Sequence, residues 1–162
     1  MKGLVVRAAR PGDERAIFDL ICALADYEKL RDQVTGSPAA LGEHLFGEPA
    51  AASALVAEVD EVPVGYALYF GTYSTFLTRP GVYLEDLFVL PEHRGHGVGR
   101  ALLSSVAAAA TRRGAGRLEW SVLDWNETAI RFYLGLGARP LEDWTMYRVT
   151  GDALAALANA AP

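Results

Sequence analysis

Cysteine and long apolar runs are what this sequence has least of. Cys22 is the single cysteine among 162 residues, so no disulfide can form within the chain, and a reducing compartment is expected. No stretch approaches the roughly 18 consecutive apolar residues that a membrane-spanning helix needs. Charge enters "MKGLVVRAARPGDE" too early for a signal peptide. We therefore expect a cytoplasmic protein with no membrane partner.

An excess of positive charge is also missing. The net charge of −5 at pH 7 argues against duplex nucleic acid as a partner, because such binders need a cationic face. The composition, 51% hydrophobic and 22% charged, is ordinary for a globular protein. A chain of this length buries about 70% of its unfolded surface, so it needs no metal or disulfide to fold. We expect one domain over residues 1–162.

Strand-like and helix-like segments alternate along the chain. Apolar, β-branched segments predict strands at 4–10, 53–59, 62–70, 82–90, 117–123 and 144–149. Helical spacing or helix-start residues predict helices at 11–30, 37–47, 98–114, 126–137 and 151–162. Residues 71–81 are rich in turn formers, and Asp60-Glu61 suits a tight turn between two strands. Ser37 as N-cap with Pro38 after it suits a helix start, and Gly114 suits the end of the third helix. The order of strands and helices predicts an α/β protein with a sheet of mixed direction.

A glycine-rich turn precedes the third predicted helix. The order Arg94-Gly95-His96-Gly97-Val98-Gly99-Arg100 brings cationic side chains to a helix start, where unpaired amides favour an anion. The spacing differs from the dinucleotide fingerprint, and no Walker lysine follows. The sequence therefore predicts a site for a phosphorylated ligand. Although His93 and His96 have ligand-like spacing, no third ligand is apparent, and we expect no metal.

Several longer motifs surround this loop. Arg94, Gly97 and Gly99 satisfy the pattern Arg/Gln-x-x-Gly-x-Gly/Ala, preceded by "YLEDLFVLPEH" and followed by "RALL". "RPGDE", "LVAEVDEVPVGYALYF" and "WNETAIRFYLGLGA" occur in matching order. The chain thus resembles the Gcn5-related N-acetyltransferases over essentially its whole length. Within them, "ADYEKLRDQV", "YLEDLFV" and "VLDWNETAIRFY" resemble the diamine (spermidine/spermine) and thialysine branch.

The resemblance implies a fold and an activity. The fold is a mixed central sheet with helices on both faces, splayed between its two central strands. The activity is direct acetyl transfer from acetyl-CoA to a primary amine of a small molecule, a diamine, a polyamine or a thialysine-like amino acid. Acetylation of a protein or peptide amine, and a non-catalytic acyl-CoA-binding module, are the alternatives. The branch also implies a homodimer that pairs or exchanges C-terminal segments.

The resemblance also assigns residues to the coenzyme. Main-chain groups on the strand before the loop would bind the pantetheine arm and the oxyanion, the loop would bind the pyrophosphate, and the start of a later helix would contact the arm. In that order the residues are Leu87, Phe88 and Val89; Arg94, Gly95, His96, Gly97, Val98, Gly99 and Arg100; and Asn126, Glu127, Thr128 and Ala129.

Acetyl transfer to an amine needs a proton acceptor and a proton donor. An alkylammonium with a pKa of about 10.4 must lose its proton near pH 7, and a positioned carboxylate can accept it. Glu85 and Asp86 lie inside an apolar strand, where neighbours face opposite sides unless a bulge redirects them. By resemblance Glu85 faces the amine, as base or as substrate ligand. Tyr133 matches the family's general acid for the leaving thiolate.

The remaining substrate assignments also come from the resemblance. Besides Glu85 and Asp86, the residues expected to contact the amine are Tyr27, Glu28, Glu119, Trp120, Ser121 and Glu142. Carboxylates and aromatic faces suit an alkylammonium. Lys29 and Arg31 add positive charge beside Glu28, which favours a short or zwitterionic amine over spermine.

Overall fold

The computed structural model describes residues 3–161, and the chain divides into two compact units between Ser121 and Val122. The first unit contains one five-stranded sheet in the order β1-β2-β3-β4-β5. Its strands are β1 (Leu4–Ala8), β2 (Ser53–Val59), β3 (Val62–Ser74), β4 (Arg79–Val89) and β5 (Leu118–Trp120). The first four pair antiparallel and β5 pairs parallel to β4, so the predicted mixed sheet is confirmed.

Helices cover both faces of this sheet. They are α1 (Glu14–Glu28), α2 (Pro38–Phe46) and α3 (Val98–Arg112). One hydrophobic cluster joins α1 and α2 to Val56, Tyr66 and Phe88. Leu55 adjoins Val56 on β2 and therefore faces the opposite side of the sheet. There it lines a cavity with Ser105 of α3. A layered α/β unit results.

Local sequence explains where the elements begin and turn. Ser37 caps α2 by accepting a hydrogen bond from the Ala40 amide, with Pro38 at the first helical position, as predicted. Asp60 and Glu61 both have positive φ, which suits the tight hairpin predicted between β2 and β3.

Three strand predictions need correction. The turn expected over 71–81 is only four residues long, because β3 runs to Ser74 and β4 begins at Arg79. The strand expected at 117–123 is three residues, Leu118–Trp120. The strand expected at 144–149 does not form, and its residues are exposed and without regular structure. These residues pair with no other strand within the described part of the chain.

The second unit contains two helices, α4 (Glu127–Leu134) and α5 (Gly151–Asn159). Asn126 caps α4, since its side chain accepts a hydrogen bond from the Ala129 amide at 3.2 Å. No helix of residues 3–161 is long and apolar enough to cross a bilayer.

Candidate active site

The glycine loop leaves a set of backbone amides open at the start of α3. Gly95 and Gly97 have φ of 76° and 88°, a region that favours glycine. A Cβ at either position would meet no atom within 4 Å, so the space beside the loop is open. Hydrogen bonding within the helix starts with the Ala101 amide, which donates to Gly97. The amides of the first turn therefore suit a pyrophosphate.

The side chains around this loop have different environments. Val98 is buried in the core, so only its main chain can serve a ligand. His96 and Arg100 are exposed. Arg94 is engaged by the protein itself: its Nε donates to the Val89 carbonyl at 2.8 Å. Its guanidinium also lies 4.5 Å from the ring centroid of Tyr27 and 5.3 Å from that of Phe88. The cation of Arg94 thus binds the loop to β4 and α1.

A β-bulge occurs at Glu85. Tyr69 pairs with Leu84 and the preceding Leu68 pairs with Asp86, so Glu85 has no partner on β3. The extra residue is the irregularity that lets neighbouring side chains escape strict alternation. Glu85 is exposed, whereas Asp86 is largely buried. The residues alone are compatible with strict alternation of Glu85 and Asp86 and with a bulge.

The sheet opens just beyond the bulge. Parallel pairing between β4 and β5 ends at Leu84 and Trp120, so the following residues of β4 have no strand partner on that side within the described chain. An open strand edge can take an extended ligand through main-chain hydrogen bonds. Phe88 and Val89 are buried, which leaves their main chain as the binding surface. This separation agrees with the predicted splay.

A carboxyl pair lies on the α1 side of β4. Burial raises the pKa of Asp86, the nearby charge of Glu85 adds to the rise, and a hydrogen bond from Tyr66 opposes it. Burial, followed by the charge of Asp86, raises the pKa of Glu28. Among residues 3–161 no lysine or arginine pairs with either carboxyl group. Partly buried carboxylates without a paired cation favour a cationic ligand.

Tyr66 is a residue of this cluster to which the sequence analysis assigns no role. Its side chain is fully buried on β3, and its hydroxyl donates to Oδ2 of Asp86 at 2.9 Å. The signal available in the sequence is a tyrosine within the apolar segment "VPVGYALYF", because a buried hydroxyl needs a partner.

The predicted substrate residues on β5 and directly after it already contact neighbours. Glu119 forms an ion pair with Arg117 at 2.8 Å. Ser121 hydrogen-bonds the hydroxyl of Tyr83 at 2.7 Å, which adds a second tyrosine to which the sequence analysis assigns no role. Trp120 is half-buried opposite Leu84. The compensated charge of Glu119 makes it a weaker cation ligand than Asp86.

The two positive charges beside Glu28 have different environments. Arg31 is compensated by Asp26 at 2.8 Å. Lys29 is exposed and closes α1 in a left-handed conformation with φ of 59°. Less positive charge therefore acts on Glu28 than the sequence suggests.

The second unit holds the other predicted residues. Tyr133 lies in the last turn of α4, half-buried, with its ring 5.3 Å from that of Phe132. Glu127 pairs with Arg131 along the exposed side of the helix at 3.5 Å. Thr128 and Glu142 are exposed. Within residues 3–161 no three His, Cys, Asp or Glu side chains are placed to hold a metal ion.

An open helix start beside a bulged strand and a partly buried carboxyl pair suits an α/β enzyme with a phosphorylated co-substrate. The sequence pattern of the Acetyltransferase (GNAT) family matches residues 21–138. The thialysine N-epsilon-acetyltransferase of Bos taurus is 42% identical over 170 residues, 98% of this chain and 99% of the relative. The chain therefore belongs to the GNAT acetyltransferase family and is an N-acetyltransferase.

Two further similarities agree with this assignment. The L-ornithine N5-acetyltransferase NATA1 of Arabidopsis thaliana is 45% identical over 98 residues, 60% of this chain and 43% of that protein. A solved integron cassette protein of V. cholerae has a TM-score of 0.81 at 24% identity, covering 99% of this chain and 100% of its own, which shows the fold alone.

Proposed function

We propose that this protein transfers an acetyl group from acetyl-CoA to a primary amine of a small molecule, a thialysine-like amino acid or a short diamine. The observation that carries the proposal is the uncompensated pair Glu28 and Asp86, whose raised pKa values suit a site for an ammonium group. The names of the relatives, which act on thialysine and L-ornithine, support the substrate class.

The coenzyme would supply the acetyl thioester. We infer that the amides of Gly97, Val98 and Gly99 bind its pyrophosphate and that the main chain of 87–89 binds its pantetheine arm. The open space at the loop and the missing strand partner beyond Leu84 support this arrangement. The helix dipole adds favourable charge at the same position.

The protein's own side chains would move two protons. Glu85 accepts the proton of the incoming ammonium, for which its exposed place on the bulge is suited. The resemblance assigns Tyr133 as the donor to the departing thiolate. Tyr27 and Glu28 bind the amine, together with Asp86.

A panel of amines tests the proposed substrate class. Free-thiol release from acetyl-CoA is measured with thialysine, ornithine, putrescine, spermine and a lysine-containing peptide. We expect the short amines to give a kcat/KM at least tenfold above those of spermine and the peptide. A peptide preference would support the protein-acetylating alternative, and thiol release that no amine increases would exclude transfer as proposed.

We further propose that the protein forms a homodimer through its C-terminal segment. Residues 139–161 are exposed, and among them Trp144, Tyr147 and Leu157 are 76%, 89% and 64% exposed. Such an apolar surface is unusual for a monomer, and a second copy would cover it. The cytoplasmic location and the absence of nucleic-acid or membrane partners stay predictions.

Light scattering at micromolar concentration tests the dimer. We expect twice the mass of one chain for the native protein and for Phe76→Ser, a control at another exposed aromatic residue, 96% exposed. The double variant Trp144→Ser, Tyr147→Ser should shift towards one chain. A native monomer would exclude the dimer, and a dimeric double variant would exclude this segment as its contact.

A further inference from the structure

The hydroxyl of Tyr66 has a single hydrogen-bond partner among the described residues, and that partner is Asp86. The donor–acceptor distance to Oδ2 is 2.9 Å. The tyrosine ring is fully buried in the cluster that joins β3 to α1, with Ile17, Leu20 and Phe88. Packing therefore fixes the ring, and the fixed ring directs the hydroxyl.

Asp86 lies among groups that disfavour its charge. Glu85 adjoins it on β4, and Glu28 faces it from α1. Cys22, also on α1, lies close enough to Tyr66 to influence it electrostatically. Arg94, a cation on this side, is stacked between Tyr27 and Phe88. The Tyr66 hydroxyl is the group that favours the ionised form of Asp86.

Tyr66 itself does not exchange a proton in this site. Burial and the charge of Asp86 raise its pKa well above the ordinary value of tyrosine, so the hydroxyl keeps its proton and remains a donor. The hydrogen bond occupies Oδ2 of Asp86. Oδ1 has no protein partner within residues 3–161 and is left for a ligand.

We propose that Tyr66 is a positioning residue, which keeps the Asp86 carboxylate ionised and turned towards the ammonium group of the amine substrate. The inference rests on the proposed function, because it needs an amine as the ligand of Asp86. Tyr66 acts through Asp86 and does not touch the substrate.

The substitution Tyr66→Phe removes one oxygen and keeps the packing of the ring. Without the hydrogen bond, Asp86 holds its proton to a higher pH. We expect the KM for the amine at pH 7 to rise about tenfold, within the range for a hydrogen bond to a charged group. The acidic limb of kcat/KM should move to higher pH, so the variant should recover at alkaline pH. The KM for acetyl-CoA should not change.

Tyr69→Phe is the matched control. Tyr69 lies three residues along the same strand, is 5% exposed, and lines a cavity with Ser105 of α3 on the other face. The Tyr69→Phe substitution should leave the pH profile and the amine KM as in the native protein. A merely structural role for Tyr66 would lower the Tm and leave the acidic limb in place, and that result would overturn the proposal.

Two further measurements complete the test. Adding Tyr66→Phe to Asp86→Asn should cause no additional loss in amine KM, whereas independent losses would contradict the coupling. The carboxyl ¹³C signal of Asp86 should titrate at higher pH in Tyr66→Phe, and an unchanged titration would overturn the proposal even without an assay. If the native protein acetylates no amine while the ¹³C signal shifts as expected, the proposed function fails, and the substrate role of Tyr66 fails with it.

Discussion

The guanidinium of Arg94 stacks on the ring of Tyr27, 4.5 Å from its centroid, and so connects the glycine loop to the end of α1. Arg94 belongs to the motif that resembles a coenzyme site, and Tyr27 belongs to the segment assigned to the amine. The Nε of the same arginine donates to the carbonyl of Val89 on β4. The two proposed binding regions thus share one side chain.

Removing the Tyr27 ring should weaken coenzyme binding even when no amine is present. Tyr27→Leu removes the cation–π contact with Arg94, while Tyr27→Phe keeps it. We expect the Kd for coenzyme A, measured by calorimetry, to rise about three- to tenfold in the leucine variant and to stay unchanged in the phenylalanine variant. Native affinity in Tyr27→Leu would show that Arg94 orders the loop without this ring.

Gly97→Ala should damage coenzyme binding more than folding. The φ of 88° disfavours a side chain, at a cost of about 1–2 kcal/mol, although the space is open. The new methyl group would also face the pyrophosphate, so the KM for acetyl-CoA should rise at least tenfold.

Gly114→Ala serves as the control for this change at the opposite end of α3. Its φ is 69° and its Cβ would also meet no atom within 4 Å. The loss of stability should be similar, and the KM for acetyl-CoA should be native. Equal kinetic effects of the two substitutions would mean that backbone strain, and not the loop, explains the result.

Glu85→Gln should slow acetyl transfer by about 100-fold, the contribution expected of a general base. The remaining rate should increase with pH in parallel with the neutral fraction of the amine, because the substrate must then lose its proton to water. Thiol release at fixed reaction times, followed across pH 6–10, measures this pH dependence of the rate. The exposed Glu92→Gln is the control. A raised amine KM at native kcat would instead make Glu85 a substrate ligand.

Asp86→Asn should stabilise the protein while it impairs catalysis. Burial raises the pKa of Asp86 in the folded state, so its charge lowers stability above that pKa, and the penalty disappears as pH falls through it. The Tm of the variant should therefore exceed the native Tm at pH 8, by about 2–4 °C for each kcal/mol regained, and the difference should shrink towards pH 4.

Asp13→Asn should change the Tm at neutral pH in the opposite direction, by lowering it. A hydrogen bond from Arg7, at 2.6 Å, lowers the pKa of Asp13, so its stabilisation is present at neutral pH and is lost as pH falls through that pKa. The variant should melt below the native protein at pH 8 and approach it in acid. A lower Tm for Asp86→Asn at pH 8 would refute the account of its buried charge.

Local patterns predicted much of the first unit. The Ser37 cap, the Asp60–Glu61 hairpin and the glycine that closes α3 follow from residue chemistry at single positions, and all three are found. The exact position of the bulge, at Glu85, does not follow from local residues, since it depends on the register between β3 and β4. The hydrogen bond between Tyr66 and Asp86 joins two strands, so the order of residues along the chain does not predict it either.

The segment 144–149 shows why a strand pattern can mislead. Its aromatic and β-branched residues favour a strand, but a strand forms only where another supplies hydrogen bonds. The structure gives it none within residues 3–161. Residues 71–74 and 79–81 are the reverse case, because pairing between β3 and β4 overrides their preference for turns.

The most direct test of the central claim is the melting temperature of the native protein with and without coenzyme A. If the amides at the start of α3 bind the pyrophosphate, a concentration of 100 times the Kd should add about 2.7 kcal/mol to the free energy of unfolding. The Tm should then rise by about 5–11 °C. An unchanged Tm at millimolar coenzyme A would contradict the claim.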